Sequence, residues 1–490
     1  MSPAVLGGAA VLGRPDPGLG RETSFGGSTT DRPRPSGPDR HPDEASPTVA
    51  EVSPLVERLE RILRSEPTFV PSGAVTRVVG STIEAAGLLV QIGSICWVEA
   101  EPAGLISAEV VGFRDGRITL VPFGDVLGVR PGSRVRLRED QFRVPIGPRV
   151  LGRVLDGFGR PLDGAGPLGA PTRVISGSAP HPLTRARIDT PLSTGVRAID
   201  GCLTAGKGQR LGIFAGSGVG KSTLLSMIAR NSAASVNVIA LIGERGREVQ
   251  EFIDHQLGPE GLARSVVVVA TSDQPALLRV KAAEVATAIA EAFRDEGRDV
   301  LLVMDSVTRL AMAQREIALG AGEPPALRGY PPSVFAYLAR ILERAGNTDR
   351  GTITGFYTVL VEGDDLSEPV ADGVRSILDG HIVLSRLLAE RNHYPAIDVL
   401  ASVSRVMPAV TEERHRRLAA ALRTVLAVYE ESRDLIEVGA YAAGSNPEVD
   451  RAIALRPAIL AFLQQAPDER SGLAEAIAGL EATGVLGGEA

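Results

Sequence analysis

The sequence predicts an α/β core with a small β-barrel on its N-terminal side and a helical domain on its C-terminal side. Three observations predict it. Between residues 70 and 148, short β-rich runs are separated by Gly, Asp and Pro turns. Between about 180 and 385, apolar strands of the fully buried kind alternate with helical patterns. From about 411 to 490, only helical patterns occur.

At 490 residues the chain is long enough for two or three domains. Apolar residues make up 44% and charged residues 23%, which suits well-formed cores in a soluble protein. The formal net charge of −7 argues against a nucleic-acid binder. Two cysteines, Cys96 and Cys202, make neither a disulfide framework nor a metal quartet, and they fit a reducing compartment. No window of about 20 residues is continuously apolar. The start, MSPAVLGGAAVLGRPDPG, lacks the basic segment and apolar run of a signal peptide. The expectation is a soluble, cytoplasmic protein.

Residues 1–50 are rich in Gly, Pro, Ser and charge, with DRPRPSGPDRHPDEASP as the extreme. Such a segment buries too little apolar surface to offset its ordering entropy, so a disordered tail is expected. The next stretch, over 51–66, places Val52, Leu55, Val56, Leu59, Ile62 and Leu63 on one helical stripe. This amphipathic helix either packs on its own domain or docks a partner.

Over 70–148 the runs GAVTRVVG, LLVQIGSICWVEA, LISAEVVGF, RITLVPFG and SRVRLRE predict the strands of a small barrel. Val70 to Pro145 hold eight Arg and no Lys beside eight acids, with few aromatics. A single-strand-binding barrel needs a basic groove lined with stacking rings, which this composition does not supply.

In the core, RLGIFA reads as a strand and GKSTLLSMIARN as a helix, followed by the strands VNVIALIG, RSVVVVAT, DVLLVMDS, GTITGFYTVL and GHIVLS. PALLRVKAAEVATAIAEAFRDE is a long helix between two of them. Buried strands alternating with helices predict a parallel sheet. EERHRRLAAALRTVLAVYEESRDLI and EVDRAIALRPAILAFLQQ predict the C-terminal helices.

Between the first core strand and its helix lies AGSGVGKST, from Ala215 to Thr223. A Gly-rich turn leading from a strand into a helix is the context of a phosphate-binding loop. Gly216, Ser217, Gly218, Val219 and Gly220 allow backbone N–H groups to converge on a polyphosphate, and the helix dipole adds to them. Lys221 can reach the β- and γ-phosphates, and the Ser222 hydroxyl can ligate Mg²⁺. The usual motif begins with Gly where this chain has Ala215, a residue small enough for close approach. Asp305, ending an apolar strand, is the carboxylate expected to hold Mg²⁺ through water. Glu244, in ALIGERGREV, follows the strand after the loop helix, so it should emerge at the same sheet edge and could polarise a water. Arg245, Arg247 and Glu248 flank it. On the residues alone, this stretch reads equally well as a solvated charged turn.

Several longer stretches then resemble one family. GKGQRLGIFAGSGVGKSTLL, IGERGREVQEF, RGYPPSVFAYLARILERAG, VLVEGDDLSEPVADGVRSILDGHIVLSR and YPAIDVLASVSRVM are similar to the rotary ATPase alpha/beta subunit family, and most of all to the flagellar and type III secretion export ATPases. The resemblance spans roughly residues 70–465. It implies a β-barrel over 70–148, a RecA-like P-loop ATPase domain over 149–408 and a helical domain over 409–490.

The resemblance also implies roles. Glu244 would position the attacking water, Arg245 would lie beside the γ-phosphate, and Glu248 would join Ser222 and Asp305 around Mg²⁺. Tyr394 would pack on adenine, and Arg405 would be an arginine finger reaching a neighbour's site. ATP and Mg²⁺ follow as cofactors, and a homohexamer as the assembly. Implied partners are a stator-like regulatory protein on the 51–66 helix, a coiled-coil central stalk protein, the export gate and substrate–chaperone complexes. They would hold the protein peripherally at the inner face of the membrane, with no nucleic acid involved. The function implied is ATP-driven export of flagellar proteins. An injectisome ATPase is the alternative, and a synthase catalytic subunit or a Rho-type RNA helicase would share the core. EVGAYAAGSNPEVDRAI stands where a synthase subunit carries a strongly acidic segment, and the charge-balanced barrel does not suit a helicase.

Overall fold

The computed structural model describes residues 71–487 apart from 176, 362 and 364, together with Val56. The tail expected over 1–50 and, except for Val56, the helix expected over 51–66 lie outside the described residues. The described residues from 71 onward belong to a single compact unit.

Six strands form the barrel: β1 (Ser72–Val79), β2 (Thr82–Ala86), β3 (Ile95–Ala100), β4 (Gly104–Arg114), β5 (Arg117–Pro122) and β6 (Arg134–Glu139). They close in the order β1-β2-β5-β4-β3-β6. Alternate residues such as Val75, Ile83, Val98, Val110, Leu120 and Val135 fill the interior. Two details differ from the sequence expectation. The strand β2, TIEAA, was not anticipated, because Glu-Ala-Ala has weak β-propensity and pairing with β1 and β5 supplies what propensity lacks. The run LLVQIGSICWVEA is a strand only from Ile95 onward. Gly87 and Gly93, at φ 83° and 89°, bracket a loop that leaves Leu89 97% and Ile92 65% exposed.

The core sheet runs through β7 (Val154–Asp156), β8 (Arg210–Ala215), β9 (Val236–Ile242), β10 (Ser265–Ala270), β11 (Asp299–Asp305), β12 (Thr352–Leu360), β13 (Gly380–Leu384) and β14 (Ile397–Ser404). Their spatial order is β14-β13-β8-β12-β11-β9-β10-β7. All pair in parallel except β14, which runs antiparallel to β13. The expected all-parallel sheet is corrected at this edge. Only the short helix Arg386–Glu390 separates β13 from β14, so the chain re-enters from the same end of the sheet and returns antiparallel.

Helices α1 (Lys221–Asn231), α2 (Ala276–Asp295), α3 (Val307–Gly320) and α4 (Pro332–Leu342) cover the sheet faces. This explains the unbroken Val, Ile and Leu runs of β9, β10 and β11, whose side chains are buried on both faces. The C-terminal domain consists of α5 (Glu413–Glu437), α6 (Pro447–Leu463) and α7 (Leu473–Ala482). Leu418, Leu422, Ile459 and Leu480 join the same apolar cluster as the loop-helix residues Leu224 and Ile228.

Two buried ionic contacts brace the core. Lys281 of α2 lies 2.9 Å from Glu109 on barrel strand β4 and 2.9 Å from Glu284, joining barrel to core. Arg344, just beyond α4, donates to both carboxylate oxygens of Glu291 on α2 at 2.7 Å each.

Candidate active site

The loop between β8 and α1 sits at the C-terminal end of the parallel strands, where open α/β sheets place their ligands. Gly218 and Gly220 adopt φ 79° and 90°, a region that side chains disfavour, so glycine is required at both. Gly220 immediately precedes α1 and turns the chain into it, while Val219 is buried and anchors the loop. Ser217 is exposed at the tip; Ser222 and Thr223 are half-buried in the first helical turn.

Lys221 Nζ lies 2.5 Å from Asp305 Oδ1 and 3.3 Å from Glu244 Oε1. The structure thus joins three residues that the sequence singled out separately. The reason lies in strand order. β8, β11 and β9 all end at the same sheet edge, and β9 pairs with β11 so that Leu241 stands opposite Asp305. Burial disfavours the Lys221 ammonium, but the charges of Asp305 and Glu244 outweigh it and raise its pKa. Burial raises the Glu244 carboxyl above the ordinary range against the pull of Lys221, and the Asp305 charge adds to the rise. Glu244 is therefore a carboxylate of increased basicity, held by one ammonium.

Glu248 and Arg245 lie at the rim. Arg245 Nη1 donates to Glu248 Oε1 at 3.2 Å, and the Arg245 side chain is 78% exposed. Arg247 pairs with Glu251 at 2.9 Å. The aromatic ring of Tyr394 lies against the loop: a Cβ built on Gly220 would stand 3.4 Å from Cδ1 and Cε1 of the ring. Tyr394 is 40% exposed, leaving a ring face free to stack. Its carbonyl accepts from Gln465 N at 2.9 Å. The Gln465 side chain accepts from Arg197 N and donates to the Gly195 carbonyl, both at 2.8 Å, so the C-terminal domain holds the ring in place.

Arg405 is not part of this cluster. It follows β14, whose last residue, Ser404, pairs with Gly380 at the start of β13. Its N–H donates to the Asp379 carbonyl at 3.0 Å and its guanidinium to the Leu378 carbonyl at 3.3 Å. Asp379 in turn accepts from Arg210 at the start of β8. The length of β8, about 17 Å, separates this end of the sheet from the loop.

Two residues at the site escaped the sequence reading. The Thr358 hydroxyl donates to Asp305 Oδ1 at 2.6 Å. Arg309, in the first turn of α3, lays its aliphatic stem within 3.0 Å of the position a Gly243 Cβ would occupy, beside Glu244, and its side chain is exposed. Arg309 follows Asp305 by only four residues, in the first turn of the helix that leaves the same strand end, and that proximity was a usable signal. Thr358 had none, because only strand pairing brings it to Asp305.

Comparison with known proteins agrees with this architecture. The ATP synthase alpha/beta family models match the nucleotide-binding domain over 195–404 and the beta-barrel domain over 75–138. The T3SS EscN ATPase C-terminal domain matches over 411–482. The chain is 54% identical over 420 residues to the flagellum-specific ATP synthase of Bacillus subtilis, covering 85% of this chain and 95% of that protein. It is 52% identical over 425 residues to the type 3 secretion system ATPase of Xanthomonas euvesicatoria, covering 86% and 96%. The solved structure of the assembled ATPase EscN of enteropathogenic E. coli, in complex with its central stalk EscO, superposes with a TM-score of 0.77 at 47% identity, covering 84% of this chain and 99% of that one.

Proposed function

The chain belongs to the ATP synthase alpha/beta family and is an ATPase, and from that premise we propose that it is the motor of the flagellar type III export apparatus, coupling ATP hydrolysis to export of flagellar proteins. The observation that carries the export part of this reading is the C-terminal domain. Its helices α5–α7 coincide with the match to the type III secretion C-terminal domain, which distinguishes the export branch from the synthases. The 54% identity to a flagellum-specific relative supports the flagellar part. The injectisome reading has specific support of its own in the 52% identity to a type 3 secretion system ATPase. Deleting the gene in its own organism tests the choice. The expected result is loss of filament and hook subunits from the medium, restored by the intact gene and not by a Lys221→Ala copy. Normal flagella with loss of other secreted proteins would favour the injectisome reading.

In the proposed mechanism, the loop N–H groups and Lys221 hold the β- and γ-phosphates, and the Tyr394 ring packs on the base. Glu244 accepts a proton from the attacking water, which its raised basicity favours. Arg245 and Arg309 stand at the rim where their guanidinium groups can meet charge on the γ-phosphate.

Ser222 and Asp305, with Glu248 further out, are the proposed Mg²⁺ residues. They are hard oxygen donors, and among the described residues no group of three or more His, Cys, Asp or Glu could hold a metal unaided. That composition fits Mg²⁺, which is held by one or two protein groups together with phosphate oxygens and water. Bound there, Mg²⁺ would neutralise phosphate charge as a Lewis acid.

The proposed assembly is a homohexamer. The distance of Arg405 from its own loop supports a finger acting on a neighbouring copy. The assembled state and stalk complex of EscN support a coiled-coil stalk partner for this chain as well. We further propose that the 51–66 helix docks a stator-like regulatory protein, and that partners, including the export gate and substrate–chaperone complexes, bring the motor to the inner membrane face. Among the described residues no helix is long and apolar enough to cross a membrane.

A further inference from the structure

The geometry points to Thr358 as a positioning residue for the ATPase reaction: its hydroxyl fixes the Asp305 carboxylate in the orientation that serves the metal, independently of where Lys221 sits. This inference rests on the Mg²⁺ reading of Asp305.

Strand register brings the two together. Met304 of β11 pairs with Tyr357 of β12, so the following residues, Asp305 and Thr358, stand side by side at the sheet's C-terminal edge. The Thr358 hydroxyl is fully buried and donates to Asp305 Oδ1 at 2.6 Å, since an ionised carboxylate only accepts. The same oxygen accepts from Lys221 at 2.5 Å. No other hydrogen bond or ion pair among the described residues engages this carboxylate, so Oδ2 remains unengaged.

The two donors differ in freedom. Lys221 ends a flexible side chain that also meets Glu244, and it must turn to the phosphates when nucleotide binds. Thr358 is β-branched and wedged between strands, so it cannot follow. When Lys221 leaves Oδ1, the hydroxyl alone keeps that oxygen bound and Oδ2 directed outward. The neighbours of Thr358 on the same face of β12, Phe356 and Leu360, are apolar, so packing alone would be served equally by valine.

The protein supplies its own control. At the other end of the same strand pair, Thr352 donates to Asp299 Oδ1 at 3.0 Å, with Lys207 on the second oxygen. It is the same Thr–Asp arrangement at the edge remote from the loop.

The experiment compares wild type, Thr358→Val, Thr358→Ser and Thr352→Val. Affinity for a fluorescent ATP analogue is measured in excess EDTA and across a Mg²⁺ titration, alongside kcat and thermal melts. Thr358→Val should raise the Mg²⁺ half-saturation point roughly tenfold to hundredfold, the scale of a hydrogen bond to a charged group. Affinity in EDTA should stay at the wild-type value. Thr358→Ser should restore the Mg²⁺ response to within about threefold, since the hydroxyl returns. Thr352→Val should follow wild type. If Thr358→Val is not obtained folded, Thr358→Ala is read in the same way. A wild-type Mg²⁺ response in the valine or alanine variant, an equal loss in the serine variant, or an equal shift in Thr352→Val overturns the inference. Nucleotide binding and turnover by wild type that ignore Mg²⁺ would instead overturn the metal reading on which it rests.

Discussion

Lys221 and Asp305 stand 84 residues apart in the chain, yet Nζ of one lies 2.5 Å from Oδ1 of the other. The contact exists because β8 and β11 flank β12 and end together at one sheet edge. It places an ammonium and a carboxylate side by side at the mouth of the glycine-rich loop.

Replacing Lys221 with Ala should therefore bring ATP turnover to background while leaving a folded chain. The side chain faces the loop, and its two carboxylate neighbours can take up protons or water. Melting curves check this. A cooperative transition should persist without nucleotide, and the rise in Tm that Mg-ATP confers on wild type should vanish. ATP-dependent turnover in the variant would remove Lys221 from the site.

Glu244→Gln keeps the side chain's size and its ability to hydrogen-bond but removes the negative charge. Nucleotide affinity should change little, while kcat falls by ~10²-fold or more, the scale of a positioned general base. Collapse of affinity with residual turnover intact would make Glu244 a binding residue instead.

The pH profile should carry the mark of the same carboxyl. Burial raises its pKa above the ordinary glutamate range, so it protonates sooner as pH falls. Only the ionised form polarises water, so kcat should decline on the acid side with an apparent pKa above the usual ~4.3 of glutamate. In Glu244→Gln this acid limb should disappear from the residual rate. An acid limb at or below the ordinary value in wild type contradicts the assignment.

Arg405, at the far end of the sheet from Lys221, is expected to act in trans. Arg405→Ala should bind ATP and turn over poorly, with a loss of roughly 10³–10⁵ in rate where a finger operates fully. Mixed with Lys221→Ala chains, it should recover partial activity, because an intact loop can then face an intact finger. If subunit exchange is shown independently and the mixture stays inactive, the shared-site reading fails.

The Glu291–Arg344 pair gives a prediction about stability alone. Its side chains are only 2% and 6% exposed. Arg344→Met should destabilise by about 3–5 kcal/mol, because it leaves a buried carboxylate without its partner. The double variant Glu291→Leu/Arg344→Met should lose less than the single one. Urea unfolding of all three checks the order, and a single variant within about 1 kcal/mol of wild type would show that the carboxylate finds water.

Much of this protein was legible in its sequence because the relevant physics is local. Glycines at Gly218 and Gly220 are demanded by the backbone angles of the loop itself. The apolar runs of β9, β10 and β11 report burial on both faces, and the helical stripes beyond residue 411 report one-sided burial. The strand β2 was missed for the converse reason: its residues have little propensity of their own and are held by neighbours far along the chain.

What only the tertiary structure decided are relationships across strands. Lys221, Glu244 and Asp305 each carry a local sequence signal, but their convergence depends on the order in which the strands lie. Arg405 and Tyr394 come from one short stretch, and β14 carries them to opposite ends of the sheet, one against the chain's own loop and the other far from it. Thr358 is an ordinary strand threonine until register sets it beside Asp305. A strand specifies its own geometry through side chains two residues apart, but its neighbours are chosen by the packing of the whole core, and that choice leaves no mark on the residues of any single segment.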